Sequence, residues 1–109
     1  MKLIVDDNKF KMAKITGPRH NFLSLSIVKN KLNFDFNLND VEESNHNIQI
    51  NEDTITKQIL DGLDKINKAL NKNYRIEFAE YSSKDTPSEN VYEELTMNII
   101  EKAHKKGLI

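Results

Sequence analysis

The histidines and serines of this chain could transfer protons or attack a substrate, but neither group has the spacing that such chemistry needs. His20, His46 and His104 stand alone, and no two are one helical turn apart, as imidazoles that share a metal ion on a helix must be. No serine lies in a G-x-S-x-G turn, which exposes the nucleophile of many hydrolases. Cysteine is absent, which excludes a thiol nucleophile and a cysteine zinc site. The sequence therefore predicts a protein that is not an enzyme and that binds no metal or cofactor.

Carboxylates are more numerous, and two of them in different environments can act as acid and base. Four pairs are adjacent in sequence: Asp6 and Asp7, Glu42 and Glu43, Glu52 and Asp53, and Glu93 and Glu94. Adjacent side chains point in different directions on a helix or a strand, so these pairs are not expected to converge on one substrate. They are interpreted as solvated surface.

The carboxylates are concentrated in residues 35–64, which we refer to as the acidic segment. It contains eight acidic residues against Lys57 alone, a balance of −7, whereas residues 1–34 contain seven Lys or Arg against two Asp, a balance of +5. A field of one sign speeds encounter with a partner of the opposite sign. The alternative is a solvated loop followed by the acid-rich first turn of a helix. The predicted partner-binding residues are Asp40, Glu42, Glu43, Glu52, Asp53, Asp61 and Asp64.

The basic N-terminal third could instead bind phosphate, but its cations are spread over two predicted strands and no glycine-rich loop accompanies them. Direct nucleic-acid binding is therefore not expected. No apolar run approaches the roughly 20 residues that span a bilayer, and the first residues lack the apolar core of a signal peptide. These features predict a cytoplasmic protein that does not contact membranes.

Alternation of apolar and polar residues predicts most of the strands. Two short strands at 3–5 and 9–16 form a hairpin, and strands at 23–28 and 32–38 form a second, antiparallel hairpin around Asn30. Residues 48–50 are a candidate for an additional short strand. A last strand at 74–82 directs Tyr74, Ile76 and Phe78 inward. Tyr81 and Phe22 are candidates for exposed aromatic anchors, the alternative being that they cover the sheet.

Two helices are predicted from apolar residues that recur about every 3.6 positions. The first begins near Asn51–Thr54 and ends near Asn71, and Gly62 within it suggests close packing against a strand. The second begins with a capping box in which Thr86 is the N-cap and Glu89 the third helical residue. Gly107 is suited to end it in a left-handed conformation. The predicted buried residues of the two helices are Ile55, Ile59, Leu60, Leu63, Ile66 and Leu70, and Val91, Tyr92, Leu95, Ile99 and Ala103.

Residues 1–109 are thus predicted to form a single α+β domain. Its architecture is a largely antiparallel sheet of about five to six strands with two helices packed on one face, in the order β-β-β-β-(β)-α-β-α. One domain is also what a chain of 109 residues can build around one core.

In size, composition and possession of an acidic segment, the chain resembles the small bacterial immunity proteins of contact-dependent inhibition and polymorphic toxin systems. Those proteins neutralise a toxin that a neighbouring cell delivers. The resemblance implies a non-catalytic protein that covers the active site of a basic toxin or nuclease domain with its acidic surface. Two alternatives stay open: a phage or mobile-element inhibitor of the anti-CRISPR type, and a small enzyme or subunit whose site forms at a homodimer interface.

Overall fold

A computed structural model describes residues 2–7, 9–16, 19–29, 37–40, 52–81 and 90–109. Over these residues the chain is an α+β structure, as predicted. Its elements in chain order are β1 (Ile4–Asp6), β2 (Lys9–Thr16), β3 (Arg19–Lys29), β4 (Asn37–Asp40), α1 (Glu52–Leu70), β5 (Tyr74–Tyr81) and α2 (Val91–Lys105). The additional strand considered at 48–50 lies outside the described residues.

The five described strands form one sheet in the order β1-β2-β3-β5-β4. Strands β1, β2, β3 and β5 pair antiparallel, whereas β4 pairs with β5 in parallel. β4 therefore does not pair with β3, and the predicted antiparallel hairpin between 23–28 and 32–38 is wrong for residues 37 and 38, whereas residues 32–36 lie outside the described residues. Parallel neighbours need a long crossover, and α1 provides it between β4 and β5.

Both helices cover the same face of the sheet, as predicted. Cross-strand partners share a face, and the pairs Phe10 with Leu25 and Met12 with Leu23 are all buried. These residues form a single core cluster with the buried sides of both helices. The predicted apolar stripe of α2 is buried throughout, and that of α1 is buried except for Leu60 and Leu70, which are partly buried against the core.

A β-bulge changes which side chains of β5 face the helices. The register shifts between Ser26 and Ile27 of β3, so that Glu77 has no residue opposite it. Ala79 and Tyr81 therefore face the core, and Phe78 faces the other side of the sheet. The prediction that Phe78 points inward is wrong. Tyr81 is not an exposed anchor either, because its ring is buried edge-to-face against Tyr92.

The start of α2 differs from the prediction. The helix begins at Val91, because Asn90 has φ 60° and ψ 19°, a left-handed conformation that no α-helical residue adopts. Asn90 makes no capping hydrogen bond with its side chain, and the Tyr92 N–H instead donates to Oε1 of Gln58 on α1, at 3.0 Å. A neighbouring helix thus supplies the N-terminal cap. The predicted cap residues Thr86 and Glu89 lie outside the described residues.

The end of α2 is as predicted. Gly107 has φ 71°, the Gly107 N–H donates to the His104 carbonyl at 3.0 Å, and the Leu108 N–H donates to the Ala103 carbonyl at 2.9 Å. These two bonds form a Schellman motif, which satisfies carbonyls that the helix end leaves without partners.

Candidate functional site

The structure describes five of the seven predicted partner-binding residues, which lie on β4 and α1. Asp40 is the last residue of β4 and Glu52 is the first residue of α1. Asp53, Asp61 and Asp64 lie on the exposed side of α1. Glu42 and Glu43 lie outside the described residues.

The exposed side of α1 carries acids and bases in alternation. At about 3.6 residues per turn, positions 53, 57, 61, 64 and 68 fall on the same side of the helix. Lys57 Nζ lies 3.8 Å from Asp61 Oδ2, and Lys68 Nζ lies 3.0 Å from Asp64 Oδ2. We refer to these five positions as the α1 outer face. Because each of these two aspartates has a lysine one turn away, the face is of mixed charge rather than uniformly acidic. It is also convex, as the exposed side of a helix is.

A different acidic surface lies on α2. Carboxylates, amides and one thioether line a groove of about 330 Å³ along the exposed side of this helix, which we refer to as the α2 groove. Its lining residues are Asn90, Glu93, Glu94, Met97, Asn98 and Glu101. Among the described residues, the lining thus contains three carboxylates and no lysine or arginine. The half-buried Met97 packs against the core and gives the groove an apolar contact surface.

Helix α1 comes close to α2 at Glu93, one of the residues that line this groove. A Cβ atom on Gly62 would lie 2.7 Å from the backbone oxygen of Glu93 and 3.0 Å from Cβ of Thr96. Glycine is therefore required for the helices to come this close. The prediction that Gly62 packs against a strand is wrong, because its neighbour is α2.

A cross-helix ion pair joins the two helices at the same place. Lys65 Nζ of α1 donates to Oε1 of Glu93. This hydrogen bond is the largest cause of the raised pKa of Lys65, followed by the Coulombic attraction of Glu93 and, more weakly, of Asp61. Asp61 therefore acts on the same ammonium group as the groove carboxylate, and it is the predicted binding residue that the structure connects to the α2 groove.

The remaining polar contacts orient the far end of the groove. Asn98 donates from Nδ2 to the Glu94 carbonyl at 2.8 Å, one turn earlier. Lys105 Nζ lies 3.0 Å from Glu101 Oε1, again one turn away. Lys65 and Lys105 thus pair with two of the three groove carboxylates, although neither lysine is among the described lining residues.

Comparison of the chain with protein-family models, with curated proteins and with solved structures finds no match. The function is therefore inferred from the geometry of the chain itself.

The described residues do not assemble a set of metal ligands or a serine nucleophile with its base. No group of three or more His, Asp or Glu within the described ranges could hold a metal ion. Ser24 lies on the sheet face opposite the helices, whereas His104 lies on the helix side, with Nδ1 2.8 Å from the Tyr74 hydroxyl. Among the helices that the structure describes, none is long and apolar enough to cross a membrane.

The α2 groove was missed from the sequence, although a signal for it exists. Asn90, Glu94, Met97 and Glu101 recur at intervals of three or four residues, so they lie on one helical face. Treating Glu93 and Glu94 only as an adjacent pair concealed this longer pattern. The shape of the groove could not be predicted, because the spacing places these residues on one helical face but does not give the conformations of their side chains.

Proposed function

We propose that this chain is a non-catalytic binding protein that inhibits a basic protein partner, in the manner of an immunity protein that neutralises a toxin or nuclease domain. The α2 groove is the observation that carries this proposal. In this mechanism the acidic surface covers a cationic active site of the partner and excludes its anionic substrate.

The charge of the α2 groove supports a cationic ligand rather than an anionic one. Glu93, Glu94 and Glu101 line it, and the lysines that pair with two of them are not among the described lining residues. Concave surfaces whose lining has an excess of one sign of charge focus the electric field and raise association rates by roughly 10-fold to 1,000-fold, most strongly at low salt. An active site that binds phosphodiester substrates has the complementary positive charge.

The chemistry of the groove supports a protein partner rather than a simple cation. Met97 offers a deformable apolar contact, and Asn90 and Asn98 offer amide groups beside the carboxylates. An arginine or lysine side chain can place its aliphatic stem against the thioether while its charged head meets a carboxylate. A cationic loop or helix of a protein presents several such side chains together.

Two matched variants test which acidic surface binds. Glu101→Lys removes a carboxylate of the α2 groove, and Asp64→Lys removes one from the α1 outer face. Each of these two carboxylates accepts a hydrogen bond from a lysine one turn later, at 3.0 Å. Each substitution therefore places two lysines one turn apart on its own helix, so the two variants are matched. We expect Glu101→Lys to slow association with the partner about tenfold or more at low salt, and Asp64→Lys to change it less than threefold.

The probe for the first measurement is a 12-residue peptide of alternating arginine and leucine residues, titrated into the isotope-labelled chain. Amide shifts are expected to concentrate in residues 90–101, and to weaken as salt rises. The proteins retained by the immobilised chain from its source cells are then purified, and their enzymatic activity is measured with the wild type and both variants.

The proposal requires that the chain inhibits a basic partner stoichiometrically, and that Glu101→Lys weakens this inhibition. Equal inhibition by both variants at low salt would contradict a role for the α2 groove. A greater loss in Asp64→Lys would instead place the interface on the acidic segment, where Asp40, Glu42, Glu43, Glu52, Asp53, Asp61 and Asp64 stay predicted partner-binding residues.

A further inference from the structure

The first strand of the chain lies at one edge of the described sheet. Of the strands that the structure describes, only β2 is its neighbour, through the pairs Ile4 with Lys11, Val5 with Phe10 and Asp6 with Lys9. An edge strand presents backbone N–H and C=O groups that can pair with another chain. Proteins usually protect such an edge with charged side chains, and here the first two of the three strand residues, Ile4 and Val5, are apolar.

The exposed apolar surface of the described residues is concentrated at this edge. The large hydrophobic side chains with the greatest exposure are Ile4 at 55%, Val5 at 47% and Leu108 at 46%. Two of the three are consecutive residues of β1. Val5 and Leu108 also line the same groove, of about 420 Å³, whose apolar surface includes Phe10 and Ile27. Consecutive residues of a strand point to opposite faces, so apolar surface is exposed on both sides of β1.

We propose that β1 is a self-association edge, at which a second copy of this chain pairs antiparallel and extends the sheet across a two-fold axis. The charges of residues 2–6, Lys-Leu-Ile-Val-Asp, carry this choice of partner. With Ile4 on the axis, Lys2 lies opposite Asp6 of the partner subunit, and the symmetry creates this opposite-charge pair twice. This inference does not rest on the proposed function.

The alternation of the strand makes the same register favourable on both faces. Lys2, Ile4 and Asp6 share one face, where Ile4 meets Ile4 of the partner subunit between the two ion pairs. Leu3 and Val5 share the other face, where Val5 lies opposite Leu3 of the partner subunit. The exposed part of Val5 is thereby covered beside Leu108. An isologous contact of this kind closes after two copies.

The carboxylate of Asp6 has capacity for the additional ion pair. Lys11 Nζ donates to Oδ2 of Asp6 at 3.1 Å, and the Asp6 side chain is 66% exposed. A carboxylate accepts several hydrogen bonds, so Lys2 of the partner subunit can bind without displacing Lys11.

Charge exchange between the two chains tests this register directly. In Lys2→Asp, both ends of the paired strands carry two aspartates, and in Asp6→Lys they carry two lysines. Each variant alone is expected to dissociate about tenfold more readily than the wild type, because two attractive pairs become repulsive. An equimolar mixture of the two variants restores opposite charges at both ends. We therefore expect the mixture to dimerise as the wild type does, measured by sedimentation equilibrium across a concentration series.

The mixed sample distinguishes the proposed pairing from general effects of the substitutions on net charge or folding. Neither variant can gain self-association from the other unless the two positions meet. Lys72→Asp changes an exposed lysine in the turn after α1 and is the matched control, for which the dimer dissociation constant is expected to change less than twofold. A mixture that associates no better than its components would overturn the proposed pairing, and so would a wild-type chain that stays monomeric throughout the concentration series.

Cysteine cross-linking provides a second, independent measurement of the register. The chain contains no cysteine, so a single introduced thiol reports only its own position. Ile4→Cys places two thiols opposite each other at the axis, within reach of a disulfide, whereas Val5→Cys offsets them along the strands. Under mild oxidation Ile4→Cys is expected to form covalent dimer at least fivefold faster than Val5→Cys. The reverse order would contradict an axis at Ile4.

Discussion

The α1 outer face and the α2 groove each contain three described carboxylates, yet they differ in shape and in the position of their lysines. On α1, Asp53, Asp61 and Asp64 alternate with Lys57 and Lys68 along a convex surface. On α2, three carboxylates are among the described residues that line a concave surface, and Lys65 and Lys105 pair with two of them from outside this lining. The number of acidic residues in a segment therefore does not locate the acidic surface, because the fold decides which lysines lie among them.

The difference originates in the contact between the two helices. Gly62 lets the backbone of α1 come against Glu93, and the Lys65 side chain crosses to the same residue. Lys65 of α1 thus pairs with a carboxylate of α2, so its positive charge does not offset only the carboxylates of α1. Substitutions at this contact, or of the charges on each side of it, therefore test the difference between the two surfaces.

Gly62→Ala is expected to have the largest effect. The added methyl group would lie 2.7 Å from the Glu93 carbonyl oxygen, which is backbone and cannot rotate away. Overpacking of this kind costs typically about 1–3 kcal/mol, which exceeds the gain of up to about 1 kcal/mol from replacing glycine in a helix. We therefore expect a lower free energy of unfolding, measured by chemical denaturation. Thr54→Ala, at an exposed position of the same helix, is the control.

A more stable Gly62→Ala variant would mean that the helices are farther apart than the structure has them. Glu93 would then not lie against α1, and the comparison between the two acidic surfaces would lose the helix contact on which it depends.

Gln58→Ala tests whether α1 also caps α2. The substitution removes the acceptor of the Tyr92 N–H, and loss of an N-terminal cap costs about 1 kcal/mol. The midpoint of thermal unfolding is expected to fall, whereas Gln58→Glu, which keeps an acceptor oxygen near the positive helix end, is expected to retain it. Equal stability of the alanine variant and the wild type would contradict the role of Gln58.

The elements of the fold were predictable where periodicity and burial coincide. Ile59 and Leu63 of α1, Leu95 and Ile99 of α2, and the Gly107 terminator follow local patterns, and the structure confirms them. The predictions that were wrong depend on contacts between residues that are far apart in the chain.

Three tertiary contacts account for those failures. The bulge opposite Ser26 and Ile27 reverses Phe78 and buries Tyr81. The pairing of β4 with β5 depends on the crossover through α1. The cap on α2 comes from Gln58, which is 34 residues away from Tyr92 in sequence. No local pattern in the chain encodes these three contacts.

Removing the lysines of the α1 outer face sharpens the comparison of the two surfaces. Lys57→Gln with Lys68→Gln leaves Asp61 and Asp64 without their partners, and each lost pair costs roughly 0.2–0.5 kcal/mol. If concavity is required for partner binding, association of the cationic peptide should rise less than threefold although the net charge falls by two. A rise of tenfold or more at low salt would mean that charge alone decides, and the convex surface would serve as well as the groove.

The Lys65 ammonium gives the smallest expected effect and the most direct measure of the contact between helices. Its hydrogen bond to Glu93 raises the pKa of Lys65 above its ordinary value of 10.5. Because the folded-state pKa is the higher one, this stabilisation is fully present below the unfolded value and is lost as the pH rises through the folded value. Titration of Lys65 by NMR should therefore show its pKa fall back toward 10.5 in Glu93→Gln. An unchanged titration would mean that Lys65 does not contact the groove, and that its charge belongs with the α1 outer face instead.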